Sequence, residues 1–572
     1  MKKYRQIGFC LLSLFLIPCA LQAQRIPEPV EYTEIYDFLE ELTTDGVIRS
    51  NAAVKPYTRD YIGRLLMEAQ SRDSLLSKRQ HDDLQFYLQD FALECDTLPV
   101  YYSYGHRHVT QWITPVSNLS LAEPSLHVLT KDKIFKMRVR PILGMDIMYN
   151  KHGMLTHRRY GADIQMDIAD HLSIWGSIRD NSWAGQGING SRITKPAYLN
   201  NLPGVQYKEA NYGGDFSDSR GGVSLYTWWG SIGIQRERIQ WGDAQHCSNI
   251  LSAHNPAVPM FTLQITPCKW FQFDYFHAWL VSNVLDSTYY YVEQYTADQT
   301  KVHYRPYNKF MAANMFTFMP CKYVQFSFGN SIIYAERNVQ AAYFIPFAFY
   351  KSLDHLLTKG VNSENQNSQA FASISVRPTD HLRLYGSFFL DEFKMARLSP
   401  SNPEKNPISY LVGFNWSGWP VRGLSLRGEF MRAYIACYTH SIDVLQYTSN
   451  SYQMGHYMGD NSQSIFLQLA YRPVRGLRLT LDYTRDTKYT AYPYIRKDIK
   501  TVISQKPFAE KIWQNDEVNF RAIYEVFNHC YAHVDCTYSN ACAFGTTDIN
   551  TYSPVYLQGR NFTFTRGLTF GF

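Results

Sequence analysis

The chain has 572 residues and a formal net charge of +6, with aromatics at 15% and charged residues at 19%. A mean hydropathy of −0.32 excludes a bundle of transmembrane helices. The aromatic load suits a sheet whose alternate residues face lipid and whose Tyr, Trp and Phe crowd two interfaces. With 56 basic against 50 acidic residues and no basic stripe, no nucleic-acid partner is expected.

In chain order, MKKYR is a positive n-region, GFCLLSLFLIPCA an apolar h-region, and LQA before Gln24 a cleavage site, which predicts an export signal over 1–23. Losing Lys2, Lys3 and Arg5 leaves a net charge of about +3 on the mature chain. Cys19 offers a lipoprotein alternative, but Pro18 before it is a poor lipobox residue. No later stretch is apolar for the ~18–20 residues a helical span requires. Cys10 and Cys19 leave with the signal. Of the other cysteines, Cys536 and Cys542 can bridge within one loop in an oxidising compartment, or can stay as single thiols.

Residues 24–133 are read as a periplasmic helical segment and lead-in. Ile35, Phe38, Leu39 and Leu42 follow the i, i+3, i+4, i+7 rule and Asp45-Gly46 supplies a stop. Thr58 caps a second helix with Ile62, Leu65, Leu66 and Ala69, and Ser77 a third with Leu84, Tyr87, Leu88 and Phe91. Such a bundle, standing before the first spanning strand, is expected to cover or plug a barrel's periplasmic mouth.

Residues 134–572 are read as the barrel, because from about 134 the period changes to two. Leu172, Ile174 and Ile178 oppose Ser173, Trp175, Ser177 and Arg179; Leu477, Leu479, Leu481 and Tyr483 oppose Arg478, Thr480 and Asp482. Leu424, Leu426 and Phe430 against Ser425, Arg427 and Glu429 repeat the pattern, as do Ile164, Met166 and Ile168 against Asp163, Gln165 and Asp167. Period two alone fits a soluble sandwich as well. The connections separate the two, since tight Pro-bearing turns (ITPCKWFQF, FMPCKYVQF, VRPTDHLRL, GWPVRGLSL, YRPVRGLRL) alternate with long stretches at 181–219, 281–305, 335–365, 391–407 and 488–515. Short turns on one side and long loops on the other describe an outer-membrane barrel. The predicted fold is all-β: a transmembrane antiparallel β-barrel of about 18 strands with a small N-terminal helical bundle. The last strand, NFTFTRGLTFGF, puts Phe562, Phe564, Leu568, Phe570 and Phe572 on one face. A terminal aromatic of this kind is what barrel-assembly machinery is taken to read, so that machinery is an expected partner through Phe572.

Residues 231–262, SIGIQRERIQWGDAQHCSNILSAHNPAVPMFT, resemble the most recognisable stretch of the Wzi-like capsule-assembly family. There a Gly- and Arg-rich strand runs into Trp-Gly, then a Ser/Leu-rich segment and an Asn/Ala/Pro turn. Gly233, Arg236, Arg238, Trp241, Gly242, Leu251, Ser252, Asn255 and Pro256 hold those places, with Gly233, Trp241, Gly242, Asn255 and Pro256 as the signature. Residues 35–66 look like the N-terminal helical part of the divergent Bacteroidetes-type, RemB-like branch. The resemblance implies a barrel of about eighteen strands with a helical bundle, acting as an outer-membrane lectin that holds capsular polysaccharide to the surface.

Candidate contacts follow from chemistry. Arg236 and Arg238 share a face with Ile232 and Ile234, which points both outward toward lipopolysaccharide phosphates. After a bulge they turn inward, to an anionic glycan or to structural pairs with Glu237 or Asp243. Trp241-Gly242 reads as a loop-shaping signature before a stacking platform. Trp183, Tyr212, Trp228 and Trp229 are candidate sugar-stacking faces near the extracellular or interface positions, although aromatic girdles require such residues regardless. Asp163, Asp167, Arg383, Arg427, Glu429, Arg478, Asp482, Arg521 and Glu525 are expected in the lumen. His106/His108 and His152/His157 lack metal spacing and read as solvent-facing. No nucleophile elbow, Walker loop or metalloprotease helix appears, so neither catalysis nor a cofactor is expected. Capsular or other surface polysaccharide and lipopolysaccharide are the expected partners. Alternatives are an accessory subunit of a gliding, secretion or envelope-assembly complex with outer-membrane protein partners, and a substrate channel.

Overall fold

A computed structural model describes residues 26–95, 109–113, 125–130, 134–169, 171–185, 208–210, 213–296, 299–358, 366–392, 394–399, 401–418, 420–492 and 499–571. The export signal, His106, His108, Tyr212 and Phe572 lie outside the described residues.

Eighteen antiparallel strands make one closed circuit. They are β1 Phe135–Asn150, β2 Gly153–Ile168, β3 Leu172–Gly185, β4 Gly213–Thr227, β5 Gly230–Glu237 and β6 Val258–Cys268. Next come β7 Phe271–Leu280, β8 Lys309–Cys321, β9 Val324–Tyr334, β10 Asn367–Thr379, β11 Leu382–Leu390 and β12 Ile408–Ser417. The circuit ends with β13 Leu424–Ala433, β14 Ser462–Tyr471, β15 Leu477–Tyr489, β16 Lys511–Phe527, β17 Cys530–Ala543 and β18 Gly559–Phe570. Each strand pairs with the next, and β18 closes on β1 from Phe564↔Tyr149 to Phe570↔Leu143. Below that closure β18 has ended. A short strand, Leu126–Thr130, takes its place beside β1 at Leu126↔Val139 to Leu129↔Lys136.

The period of two divides lipid from lumen as the residues dictate. Leu481, Leu426, Ile164 and Ile178 are exposed on the outer face, while Arg478, Glu429, Asp163 and Ser177 are buried on the inner one. Pro267, Pro320 and Pro378 sit inside register shifts, between Ile265 and Cys268, Phe318 and Cys321, and Val376 and Thr379. Pro has no N–H for the ladder, so a bulge before the turn is where it fits. These tight connections all open on one mouth, the periplasmic one by the short-turn rule. Of the two states open to Cys536 and Cys542, bridged or single, the structure has single thiols. Both lie on β17 with free thiols, roughly 20 Å apart along one extended strand.

Three helices fill the periplasmic mouth: α1 Thr33–Thr44, α2 Arg59–Gln70 and α3 Lys78–Asp90. Thr58 accepts from the Tyr61 N–H, Ser77 and Gln80 form a capping box, and Gly46 at φ +79° ends the turn after α1. Ile35, Phe38, Leu39, Leu42, Ile62, Leu65, Leu66, Leu84, Tyr87 and Phe91 make a shared core that also takes in Tyr531 of β17.

The polar faces of the helices are held by the barrel wall. Arg383 donates to both Glu40 oxygens, at 2.6 and 2.8 Å, and to Asp243 at 2.8 Å. Asp37 receives Arg427 at 3.1 Å together with Arg472 and Arg478. Burial raises the Asp37 carboxyl, but Arg427, Arg478 and Arg472 outweigh it and hold the group well below the usual carboxylate range. Glu525 accepts the hydroxyls of Tyr32, Tyr87 and Tyr531, each at 3.1 Å. Asp90 receives Arg138 at 2.7 Å and faces His529 at 3.0 Å. Of the lumen residues predicted from alternation, Arg383, Arg427, Arg478 and Glu525 are sockets of the plug, whereas Glu429 accepts from the Gln245 N–H of an inward loop. Arg521 instead pairs with Asp535 across neighbouring strands.

Candidate functional site

The extracellular connections decide what this barrel can present. Two of them, 238–257 and 434–461, turn into the lumen instead of standing above it. Trp241, Ile250 and Leu251 from the first meet Tyr438, Val444, Leu445, Tyr447, Met454 and Met458 from the second in one buried cluster. Inward residues Phe276, Met311, Phe371 and Leu411 of the wall complete it. Sequence reading took neither segment as a plug, because their apolar residues follow no period of two.

The signature residues are the hinges of this inward fold. Gln240–Trp241 pairs with Val54–Lys55, the segment joining α1 and α2, so the upper plug and the lower one share a two-stranded ribbon. The Trp241 ring packs edge-on to Phe276 at 5.0 Å and against Phe371 at 5.8 Å. Gly242 has φ +103°, and a Cβ there would come within 2.8 Å of Ser248 Oγ, so only glycine suits the turn. Asn255 donates to the Ser252 and Gln453 carbonyls at 3.2 and 2.7 Å, tying the two inward loops together, and Pro256 beside it is buried. Gly233 lies on β5, where a Cβ would meet the Val223 carbonyl at 3.0 Å.

The lumen retains some space. A partly open cleft lies between Lys55 and Thr58 of the plug and Gln235, Gln264 and Asp274 of the wall, with Trp241 on its border. On the same side of the barrel, two strands from β5, Arg179 of β3 has Nε and Nη2 buried without a hydrogen-bond partner among the described residues.

The other predicted contacts separate. Arg236 points outward beside exposed Ile232 and Ile234 near the extracellular end of β5, donating to the Ser219 carbonyl and hydroxyl. Arg238 does not share that face. The strand ends at Glu237, the chain turns inward, and Arg238 is buried against Glu31 at 3.2 Å and Asp218 at 3.1 Å. Burial raises the Glu31 carboxyl, yet Arg220 and Arg238 bring it below its usual range. Trp183 is on the lumen side and buried, one face covered by the His157 ring, stacked at 4.4 Å and 4°. His157 is correspondingly not solvent-facing. Trp228 and Trp229 form the tight turn between β4 and β5, which puts both at the periplasmic mouth and not at the outer surface. Strand direction, unknown from sequence, decides that end.

A better-placed surface went unread. Between β7 and β8 a hairpin, Leu285–Thr296 with Gln299–Pro306, stands beyond the extracellular rim. One face carries Tyr291 stacked on His303 at 4.8 Å and 5°, Glu293 at 2.6 Å from His303, and Arg305 over Tyr289 at 5.0 Å. The opposite face carries Tyr290, Tyr304, Val292 and Val302, all exposed. The YYY triplet was the available signal, since three adjacent tyrosines in a strand must expose rings on both faces.

Against known families, residues 184–539 match the model of the capsule assembly protein Wzi. The chain belongs to the Wzi family. The match covers more than half of the chain and takes in the inward loop 238–257 with its Trp241-Gly242 and Asn255-Pro256 pairs. Among solved structures, the fold resembles Wzi of Escherichia coli, an outer-membrane protein involved in group 1 capsule assembly and described as a carbohydrate-binding β-barrel. The TM-score is 0.53 at 11% identity, over 96% of this chain and 100% of that one. OprD of Pseudomonas aeruginosa is a looser likeness, with a TM-score of 0.39 at 8% identity over 76% of this chain and 94% of that one. No curated protein is significantly similar in sequence. The chain is a barrel of the outer membrane.

Proposed function

We propose that this Wzi-family barrel is a non-enzymatic lectin of the outer membrane that retains capsular polysaccharide at the cell surface. The observation that carries the reading is the combination of family membership with a lumen crossed by a helical plug below and two inward loops above. Such a lumen favours surface binding over passage of a polymer. The extracellular hairpin supplies the chemistry sugars need: tyrosine faces for ring stacking, and His303, Glu293, Lys301 and Arg305 for hydroxyls or carboxylates. Arg236, outward at the upper end of β5, suits a lipopolysaccharide phosphate. Insertion through the assembly machinery by way of β18 belongs to the same reading.

Purified protein in detergent, offered the capsular polysaccharide of its own cell, tests the proposal. Saturable binding is expected, lost in a Tyr289→Ala/Tyr291→Ala variant that keeps its heat-modifiable mobility. Absence of binding by the parent protein would favour the reading as a subunit of a larger envelope complex.

A further inference from the structure

The connection between β9 and β10 takes an unusual course: it runs down the outside of the barrel. Parity on the three strands beneath it establishes the side. On β8, Lys309 reaches the inward loop carbonyls of Gln446 and Thr448 at 2.7 Å, and Met311, Ala313 and Met315 join the lumen cluster. Residues 310, 312, 314 and 316 therefore face the membrane. On β7 Phe276 packs on Trp241 inside, so Phe273, Tyr275 and His277 face outward. On β9 Gln325 reaches Asp243 inside, so Asn330, Ile332 and Tyr334 face outward.

These outward residues are among the most buried of the wall. Phe273, His277, Ala312, Asn314, Ile332 and Tyr334 are 0% exposed, because residues 340–358 lie over them. Phe347 stacks on Phe273 at 4.3 Å, Phe344 on His277 at 4.4 Å, and Tyr343 packs on Tyr334 at 4.8 Å. The segment then forms a short helix, α4 Tyr350–Thr358, and returns to β10. From Lys309 at the rim to Phe316, which Phe347 also touches, is roughly 23 Å of strand. With the usual tilt that puts the tip well inside the ~25 Å apolar band.

Backbone in hydrocarbon must have its polar groups satisfied by protein, and this wall is equipped to do so. Asn314 Nδ2 donates to the Pro346 and Ala348 carbonyls at 2.8 and 2.9 Å. Asn330 Oδ1 accepts the Tyr350 N–H at 2.9 Å, and its Nδ2 reaches Asn314 Oδ1 at 2.8 Å. The Tyr275 hydroxyl donates to the Tyr343 carbonyl at 2.9 Å. Asparagines on a lipid-facing wall are costly unless covered, so their presence and the strap explain each other. The strap's own outer surface is mostly apolar: Phe344, Ile345, Phe347, Phe349, Leu356 and Leu357 are exposed, with Ser352 and His355 the exposed polar side chains of α4. It continues the bare band of Phe326, Phe328 and Ile374 on the neighbouring strands.

We propose that residues 340–358 are a re-entrant strap immersed in the outer leaflet, with its apolar face against lipid acyl chains and its backbone received by Asn314 and Asn330. A photoreactive p-benzoylphenylalanine placed at Phe349 or Leu356 of the full-length protein, irradiated in intact cells, tests it directly. Adducts of lipid mass are expected at both positions. A discrete crosslink to another protein, or no adduct beside an efficient one from a residue on the exposed hairpin, would overturn it. In a second measurement, protease added to whole cells should spare Lys351 in the parent protein. It should cut there in an Asn314→Leu/Asn330→Leu variant whose barrel stays heat-modifiable. Cleavage of the parent, or continued protection of the folded variant, contradicts the proposal.

Discussion

Arg383 shows how much one side chain holds in this barrel. It is buried, and its guanidinium serves Glu40 of α1 on one side and Asp243 of the inward loop on the other. Arg383→Ala leaves two carboxylates without their shared cation, a loss of about 3–5 kcal/mol for breaking a buried pair. The expected readout is release of the helical plug: trypsin cuts within residues 33–90 of the variant while the heat-modifiable mobility of the barrel is unchanged. Equal protease resistance in both proteins would show that the plug rests on its apolar core alone. A second residue-scale expectation concerns His246 and His254. Burial, with Arg427 near the first and Arg238 near the second, pushes them down to about 4 and about 3. In an unfolded chain a histidine takes its proton near 6.5. The unfolded state thus binds more protons between those values, so the inward loop is fully stable above about pH 6.5 and loses stability as pH falls toward 4. Hydrogen exchange of residues 244–256, corrected for intrinsic rates, should be faster at pH 5 than at pH 7.5. Unchanged protection would sink this assignment.

At the level of elements, legibility followed the local physics. α1, α2 and α3 were readable because caps and 3.6-residue periodicity agree, as at Ser77 with Gln80. The strands were readable because lipid and lumen impose opposite demands on alternate residues, as at Leu481 and Arg478. Connections were read poorly, since nothing local tells a loop which way to fold. The segment 238–257 enters the lumen through the turn at Gly242, carrying Arg238 inward with it, and residues 340–358 descend the outer wall through partners on three other strands. Trp228 and Trp229, read as extracellular or interface residues, stand at the periplasmic interface, because up and down depend on counting every strand before them. The exposed hairpin could have been found from its tyrosine triplet. It carries a prediction of its own: Tyr291→Ala should weaken glycan binding about tenfold, or ~1.4 kcal/mol, without altering barrel stability. Unaltered affinity would move the binding surface to another part of the rim.

For the whole molecule, plug, inward loops and wall form one connected body, joined where Val54–Lys55 of the lower plug pairs with Gln240–Trp241 of the upper one. A barrel built this way suits holding a polymer at the surface better than passing one. In planar bilayers it should show no steady large-conductance state, and deleting residues 33–90 should raise conductance only modestly while 238–257 and 434–461 remain in place. A wide, permanently open pore in the intact protein would favour the channel alternative. The most direct test of capsule retention is a clean deletion of the gene, with cell-associated and shed capsular polysaccharide quantified separately. Retention by this barrel predicts normal total polysaccharide with most of it shed into the medium, restored by the parent gene. Unchanged cell-associated capsule in the deletion strain would contradict it.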